Sequence, residues 1–274
     1  IWKEDRLTPG GRFAEGSESG VYFTFDLTEN RNVQYKIGVS YVSVENARAN
    51  LAAENAGWDF AAVQHAAERR WNDYLGLIEA EGTNPDRTTQ FYTHLYRVLI
   101  HPNVCSDVNG EYMGADFRVH RSRSKQYTSF SNWDTYRTQI QLLSMLAPDV
   151  ASLSLIHISG DVYKRQVPYD LAGLIETMGG KAAAEKRLDE FFVRLDAGYN
   201  DPWFASGNEP SFHIPWVYNW LGRPDKTSKV INRILNEQYT SAPDGLPGND
   251  DLGTMGAWYV FACTGLYPMI PGVG

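Results

Sequence analysis

The sequence predicts a mainly helical chain that begins with a short β segment, and three observations carry that prediction. Apolar and polar residues alternate over residues 21–25 (VYFTF) and 33–44 (VQYKIGVSYVSV), with β-branched and aromatic side chains, which is the pattern of two strands. From residue 45 onward the apolar positions recur at helical spacing. Strands first and paired helices afterwards is the order of a β layer joined to a helical domain.

Residues 1–19 are polar and Gly-rich and read as loop, and residues 26–32 read as the turn between the strands. Two strands bury no face by themselves, so this segment packs on the helices or on a partner. Residues 45–78 form a linker helix with Phe60, Val63, Ala67, Trp71 and Leu75 on one side, and His65 on it reads as solvated or packed. Residues 88–100 form a helix with Leu95, Val98 and Leu99 inward, ended by Pro102. Residues 107–117 are a Gly-punctuated loop with some strand character. Its Asp107 and Asp116 are turn acids, with sugar or ion contact as the alternative. Residues 129–147 run from a loop into a helix. Helices follow over 171–178 and 182–195, split by Gly179 and Gly180, with Glu185 and Asp189 set against Lys186 and Arg187 on a solvated face. After an aromatic-rich stretch at 214–221 come helices over 226–239 and 255–264, the last closed by Gly265.

A length of 274 residues allows one or two domains with a substantial core. The net charge of −8 argues against nucleic acid as a partner. The 8 Trp and 16 Tyr suit carbohydrate binding and equally suit a large helical core. Two cysteines make no disulfide framework, and Cys263, inside an apolar run, is expected to be a buried thiol. No signal peptide and no apolar run long enough to span a membrane is present; the start at Ile1 and the end at Gly274 read as truncations.

Chemistry concentrates in two stretches. In GNDDLGTMGAWYVFACTGLYPMIPG (248–272), Asp250 and Asp251 occupy a Gly-flanked turn directly before an apolar run. A helix N-terminus favours the ionised carboxylate, which can then act as a base; a plain helix cap is the competing reading. In GNEPSFHIPWVYNW (207–220), Asn208 and Glu209 offer oxygen donors of the kind hard cations such as Ca²⁺ prefer, next to His213 and three aromatics.

These stretches, with SNWDTYRT (131–138), VPYDLAGLIETMGG (167–180) and LGRPDKT (221–227), resemble the catalytic domain of glycoside hydrolase family 92, the calcium-dependent α-mannosidases. The resemblance implies a partial (α/α)6 toroid with a short N-terminal β-sandwich remnant: residues 1–44 the remnant, 45–80 the linker helix, 81–274 the partial catalytic domain. It implies an exo-acting, inverting α-mannosidase acting on mannose-containing glycans. Asp251 would be the base with Asp250 as its assistant, and Asn208 and Glu209 would hold Ca²⁺. Trp133, Asp134, Arg137 and His213 would line the sugar pocket. For Asp134 the residues alone suggest a helix cap paired with Arg137, and His213 can equally pack behind the pocket. A periplasmic, cell-surface or secreted parent protein of bacterial origin is implied, with no membrane span in this chain.

One stretch departs from the family. Residues 153–166 (LSLIHISGDVYKRQ) have no counterpart in it, and their two halves can be encoded by near reverse complements, as in a sequencing adapter read in both directions. The Glu-Gly-Asn-Ala-Trp-Gln-Tyr block, whose Glu is the family's expected general acid, is missing upstream of Val167 and Pro168; His157, at that spacing, receives no role. The expectation is therefore a glycosidase impaired by that loss, or a non-catalytic carbohydrate-binding or structural helical remnant.

Overall fold

The structure, a computed structural model, describes residues 1–3, 5–12, 16–29, 31–128, 132–155, 170–198 and 201–269. Its centre is a helix apolar on every side. In α10 (Thr254–Thr264) all nine residues from Thr254 to Ala262 are buried, so this helix is a core element rather than a surface one. Left-handed glycines bound it, Gly253 (φ 85°) before it and Gly265 (φ 74°) after it, where a side chain would be strained.

The helices around it bury a single stripe each. In α3 (Pro85–Ile100), Asn84 accepts from the Asp86 amide and Pro85 fills the first turn, while Phe91, Leu95 and Val98 face inward. In α9 (Pro224–Glu237), Val230, Ile231 and Ile234 do the same. α10 packs on α3, on α9 and on α5 (Gln139–Leu146). Trp258, Tyr259, Tyr218, Phe204 and Phe212 fill the centre of one core cluster. The remaining helices are α1 (Val44–Glu54), α2 (Phe60–Leu75), α4 (Asn132–Thr135), α6 (Pro148–Leu155), α7 (Leu171–Thr177) and α8 (Lys181–Phe191). The described part is thus mainly helical and toroid-like.

Several expectations are corrected. The segment 45–78 is two helices: residues 55–59 interrupt it, and Asp59 caps α2 by accepting from the Ala62 amide. α2 buries none of its residues, and its expected inner positions Phe60 and Val63 are 71% and 46% exposed. Strands form instead within the first twenty residues, where β1 (Trp2–Lys3) pairs with β2 (Arg6–Leu7) and β3 (Ser19–Gly20). Among the described residues of 21–43 none lies in a strand. Their alternation is present, but a strand requires a hydrogen-bonded neighbour that no described residue supplies.

A hairpin of β4 (Glu111–Met113) and β5 (Val119–Arg121) supplies the strand character read at 107–117. Asp107 serves as a joint: it accepts from Ser40, Asn46 and Asn50, tying α1 to the loop that leads into this hairpin. Asp116 holds its own turn through His120 and the Arg118 amide. Glu185 and Asp189 pair not along their own helix but with Arg223 and Lys226 at the start of α9. Cys263 is exposed, because the last turn of α10 emerges from the core. The junction read at 153–166, with His157, lies outside the described residues from 156 onward.

Candidate carboxylate centre

Three segments far apart in sequence are clipped to the first turns of α10, and each brings a carboxylate. The first leads directly into the helix: the Met255 amide donates to the Asp250 carbonyl and the Thr254 amide to the Asp251 carbonyl. Asp251 and Leu252 hold positive φ values of 44° and 63°, uncommon for residues with side chains, and such strain concentrates at functional sites. The second segment, a 3₁₀ turn over Glu209–Ser211, is held where the Trp258 indole donates to the Phe212 carbonyl at 2.9 Å. The third carries Asp134 at the end of α4, and the Thr138 hydroxyl donates to the Thr254 carbonyl at 2.7 Å.

Glycines let the first two loops meet. A Cβ on Gly207 would collide with the Pro247 carbonyl, and one on Gly248 with the Gly207 carbonyl, so the backbones lie in direct contact. Gly253 is equally confined, since its Cβ would lie 2.8 Å from the Arg97 carbonyl oxygen.

The result is that Asp134, Glu209 and Asp251 each place a carboxylate oxygen within 4.8 Å of the others. Glu209 is 2% exposed, and its Oε1 is buried without a hydrogen-bond partner in the described structure. Burial first, then Asp251 and Asp134 beside it, push its carboxyl up to about 8, so at neutral pH it holds a proton unless a positive charge joins the group. Asp250 points elsewhere: it accepts from the Gly256 amide at 3.0 Å, inside the first turn of α10. Burial raises its pKa against the pull of that amide and of Arg97.

Around the acids sit the other residues expected at the site. Arg137 is 4% exposed and lies over the Tyr136 ring at 4.6 Å. His213 is held neutral, its pKa pushed down to about 4 by burial and then by Arg137. Asn208 flanks Glu209 at the start of the 3₁₀ turn, half-buried, with its carbonyl accepting from the Ser211 amide. Trp133 lies in α4, but its side chain is outside the described residues.

The sequence reading paired Asn208 with Glu209 as the metal-type donors and left Asp134 to the sugar. The fold instead brings Asp134 into the group that could hold an ion. No spacing signal could have shown that, because Asp134 and Asp251 lie more than a hundred residues apart and meet where the Thr138 hydroxyl reaches the Thr254 carbonyl.

A donor set of three carboxylates fits a hard divalent cation such as Ca²⁺, and the unpartnered Glu209 oxygen is the observation that favours one.

Fold and site together define a class: a helical, toroid-like domain presenting an acidic centre at the N-terminus of its innermost helix. The glycosyl hydrolase family 92 catalytic domain matches residues 46–159 and 158–274, and the chain belongs to that family. An uncharacterized secreted glycosidase of Arthroderma benhamiae is 36% identical over 102 residues, which are 37% of this chain and 12% of that protein. A family GH92 α-mannosidase of Bacteroides thetaiotaomicron shares the fold, with a TM-score of 0.70, 22% identity, and coverage of 85% of this chain and 52% of its own. A family GH92 inverting mannosidase of the same organism matches with a TM-score of 0.65, 18% identity, and coverage of 85% and 56%. The chain therefore spans about half the length of these structural relatives and a smaller share of the fungal one.

Proposed function

We propose that the chain carries the sugar-binding and water-activating side of an exo-acting, inverting α-mannosidase site that depends on Ca²⁺ and acts on mannose-containing glycans. The observation that carries this reading is the convergence of half-buried Asp134 and Asp251 on buried Glu209. Glu209, with Asn208 and a share from Asp134, would hold the cation. Bound Ca²⁺ supplies a template for neighbouring sugar hydroxyls and polarises them. Asp251, on its strained turn, accepts the proton of the attacking water, and Asp250 fixes that turn on the helix. Arg137 and His213 donate hydrogen bonds to sugar oxygens.

Spacing bears on the roles. An inverting acid and base stand roughly 6.5–9.5 Å apart to admit water and the scissile bond. Oxygens within 4.8 Å of each other leave no such room, so the Glu209–Asp251 pair suits a shared proton or a shared cation rather than an acid–base pair across a sugar. The general acid belongs to the block missing between residues 147 and 167, and the chain as it stands cleaves unactivated mannosides poorly. A secreted or cell-surface setting fits the secreted glycosidase it resembles over 102 residues.

The test uses an aryl α-mannoside whose leaving group needs no protonation. Aryl release that stops on chelation, returns with Ca²⁺ and is lost in Asp251→Asn supports the assignment. Release indifferent to both chelation and Asp251→Asn refutes it. Ca²⁺ and mannose binding without any turnover would favour the non-catalytic carbohydrate-binding alternative.

A further inference from the structure

Thr138 stands at the start of α5, yet its hydroxyl does not serve that helix. A threonine at a helix N-cap ordinarily accepts from an amide of the first turn, and Thr138 makes no such bond. Its hydroxyl donates across the fold instead, to the Thr254 carbonyl at 2.7 Å, and neither residue exposes any surface. No main-chain need explains the bond. Thr254 opens α10, so the helical ladder already provides its carbonyl with the Trp258 amide. The next residue, Gln139, is buried as well and donates to the Val98 and His101 carbonyls, both at 3.3 Å. The corner between α4 and α5 is thereby held to α10 by one side chain and to the end of α3 by the next.

Each end of the Thr138–Thr254 bond lies next to a carboxylate of the centre. Asp134 is four residues before Thr138, across the turn at 136–138. Asp251 is three residues before Thr254, whose amide donates to the Asp251 carbonyl at 3.3 Å. The hydroxyl thus ties the backbone of one acid to that of another. Charge works against their closeness, because carboxylates with oxygens within 4.8 Å repel until a cation joins them. A donor set held together in advance spares the ion the cost of gathering it.

We infer that Thr138 is a positioning residue for cation binding: its hydroxyl holds the Asp134 corner on the first turn of α10, and so sets the affinity of the centre for a hard divalent cation. The inference rests on the reading of the three carboxylates as a cation site. Thr138 acts through Asp134, as the residues that orient metal ligands do elsewhere, where their loss costs about 10–100-fold in affinity.

The experiment is calorimetric titration of Ca²⁺ into the metal-stripped full chain. Thr138→Val, close to threonine in shape but without the hydroxyl, should weaken binding about tenfold or more while keeping the helical circular dichroism of the metal-free chain. Thr138→Ser, which keeps the hydroxyl, should bind as the unaltered chain does. In an Asp134→Asn background Thr138→Val should cost little more, because the two act through one ligand. Thr227→Val removes another buried hydroxyl, one bonded to Asn219 at 2.9 Å at the start of α9, and should leave the affinity unchanged. Unaltered affinity in Thr138→Val overturns the inference, as does a loss shared by Thr138→Ser or Thr227→Val, or one that adds in full to that of Asp134→Asn. If the valine variant does not fold, Thr138→Ala is read in the same way. An unaltered chain that binds no Ca²⁺ overturns the cation reading and this inference with it, whereas Ca²⁺ binding indifferent to Thr138 overturns the inference alone.

Discussion

Two segments near opposite ends of this chain are both rich in hydrophobic residues and reach opposite outcomes. From Met255 to Phe261 every side chain is buried, whereas from Tyr35 to Tyr41 the aromatic and aliphatic side chains are largely exposed. The difference lies in the backbone. A helix satisfies its own amide and carbonyl groups, so α10 needs only apolar neighbours, and α3, α5 and α9 provide them. A strand satisfies nothing until a second strand lies beside it, so the alternation at 33–44 specifies a face without supplying its partner. Apolar content therefore says little about burial until the source of the hydrogen bonds is known.

The largest expected effect comes from disturbing the buried end. Gly253→Val places a branched side chain at φ 85° against Arg97 and Val98, and should lower unfolding free energy by about 3–4 kcal/mol in urea denaturation. If the loss is under about 1 kcal/mol, the tight seating of α10 on α3 is wrong.

Next is the cation. At a Ca²⁺ concentration a hundred times its dissociation constant, the unaltered chain should gain about 2.7 kcal/mol of stability, and Glu209→Gln should lose most of that gain. Calorimetric melts with and without chelator measure both. An equal Ca²⁺ shift in the variant would remove Glu209 from the ligand set.

A smaller effect follows from proton linkage. Glu209 stands at about 8 in the fold against an ordinary 4.5, so it binds its proton more tightly folded than unfolded. In metal-free protein that stabilisation is full at low pH and is lost as pH rises through about 8. His94 and His213, pushed down to about 3 and about 4 from 6.5, act in the opposite sense and lose stability as pH falls below 6.5. Of these three, Glu209 alone titrates between 6.5 and 8. Metal-free melting temperature should fall across that window, and Ca²⁺ or Glu209→Gln should flatten the fall.

Asp250→Ala should cost about 1 kcal/mol through loss of its bond to the Gly256 amide. The least effect belongs to the exposed end: Phe23→Ser, measured at dilution, should change unfolding free energy by less than about 0.5 kcal/mol. A larger change would show that residues 21–27 already pack on something within the chain.

The helical class was legible because helical periodicity is local: α3, α9 and α10 fall within a few residues of where Leu95, the residues after Pro224 and Met255 predict them. The pairing of the Glu209 and Asp251 loops was legible only through the family motifs. Asp134 was legible as a pocket residue through the same motifs, but its place beside Glu209 and Asp251 in the group that could hold an ion was not, because it rests on contacts between distant segments such as Thr138 with Thr254. The break at residues 55–59 was missed because Ala-rich spacing continues across it, and Asp59 prefers to cap a new helix rather than extend the old one.

By itself the sequence determined which segments coil into helices, where glycines must stand, and which acids are available, since these follow from residues within one or two turns of each other. Tertiary structure alone decided which acids share a site, which apolar rows are covered, and which carboxyl keeps its proton. Those depend on distances between segments that only packing around α10 brings together, and on the water that packing removes.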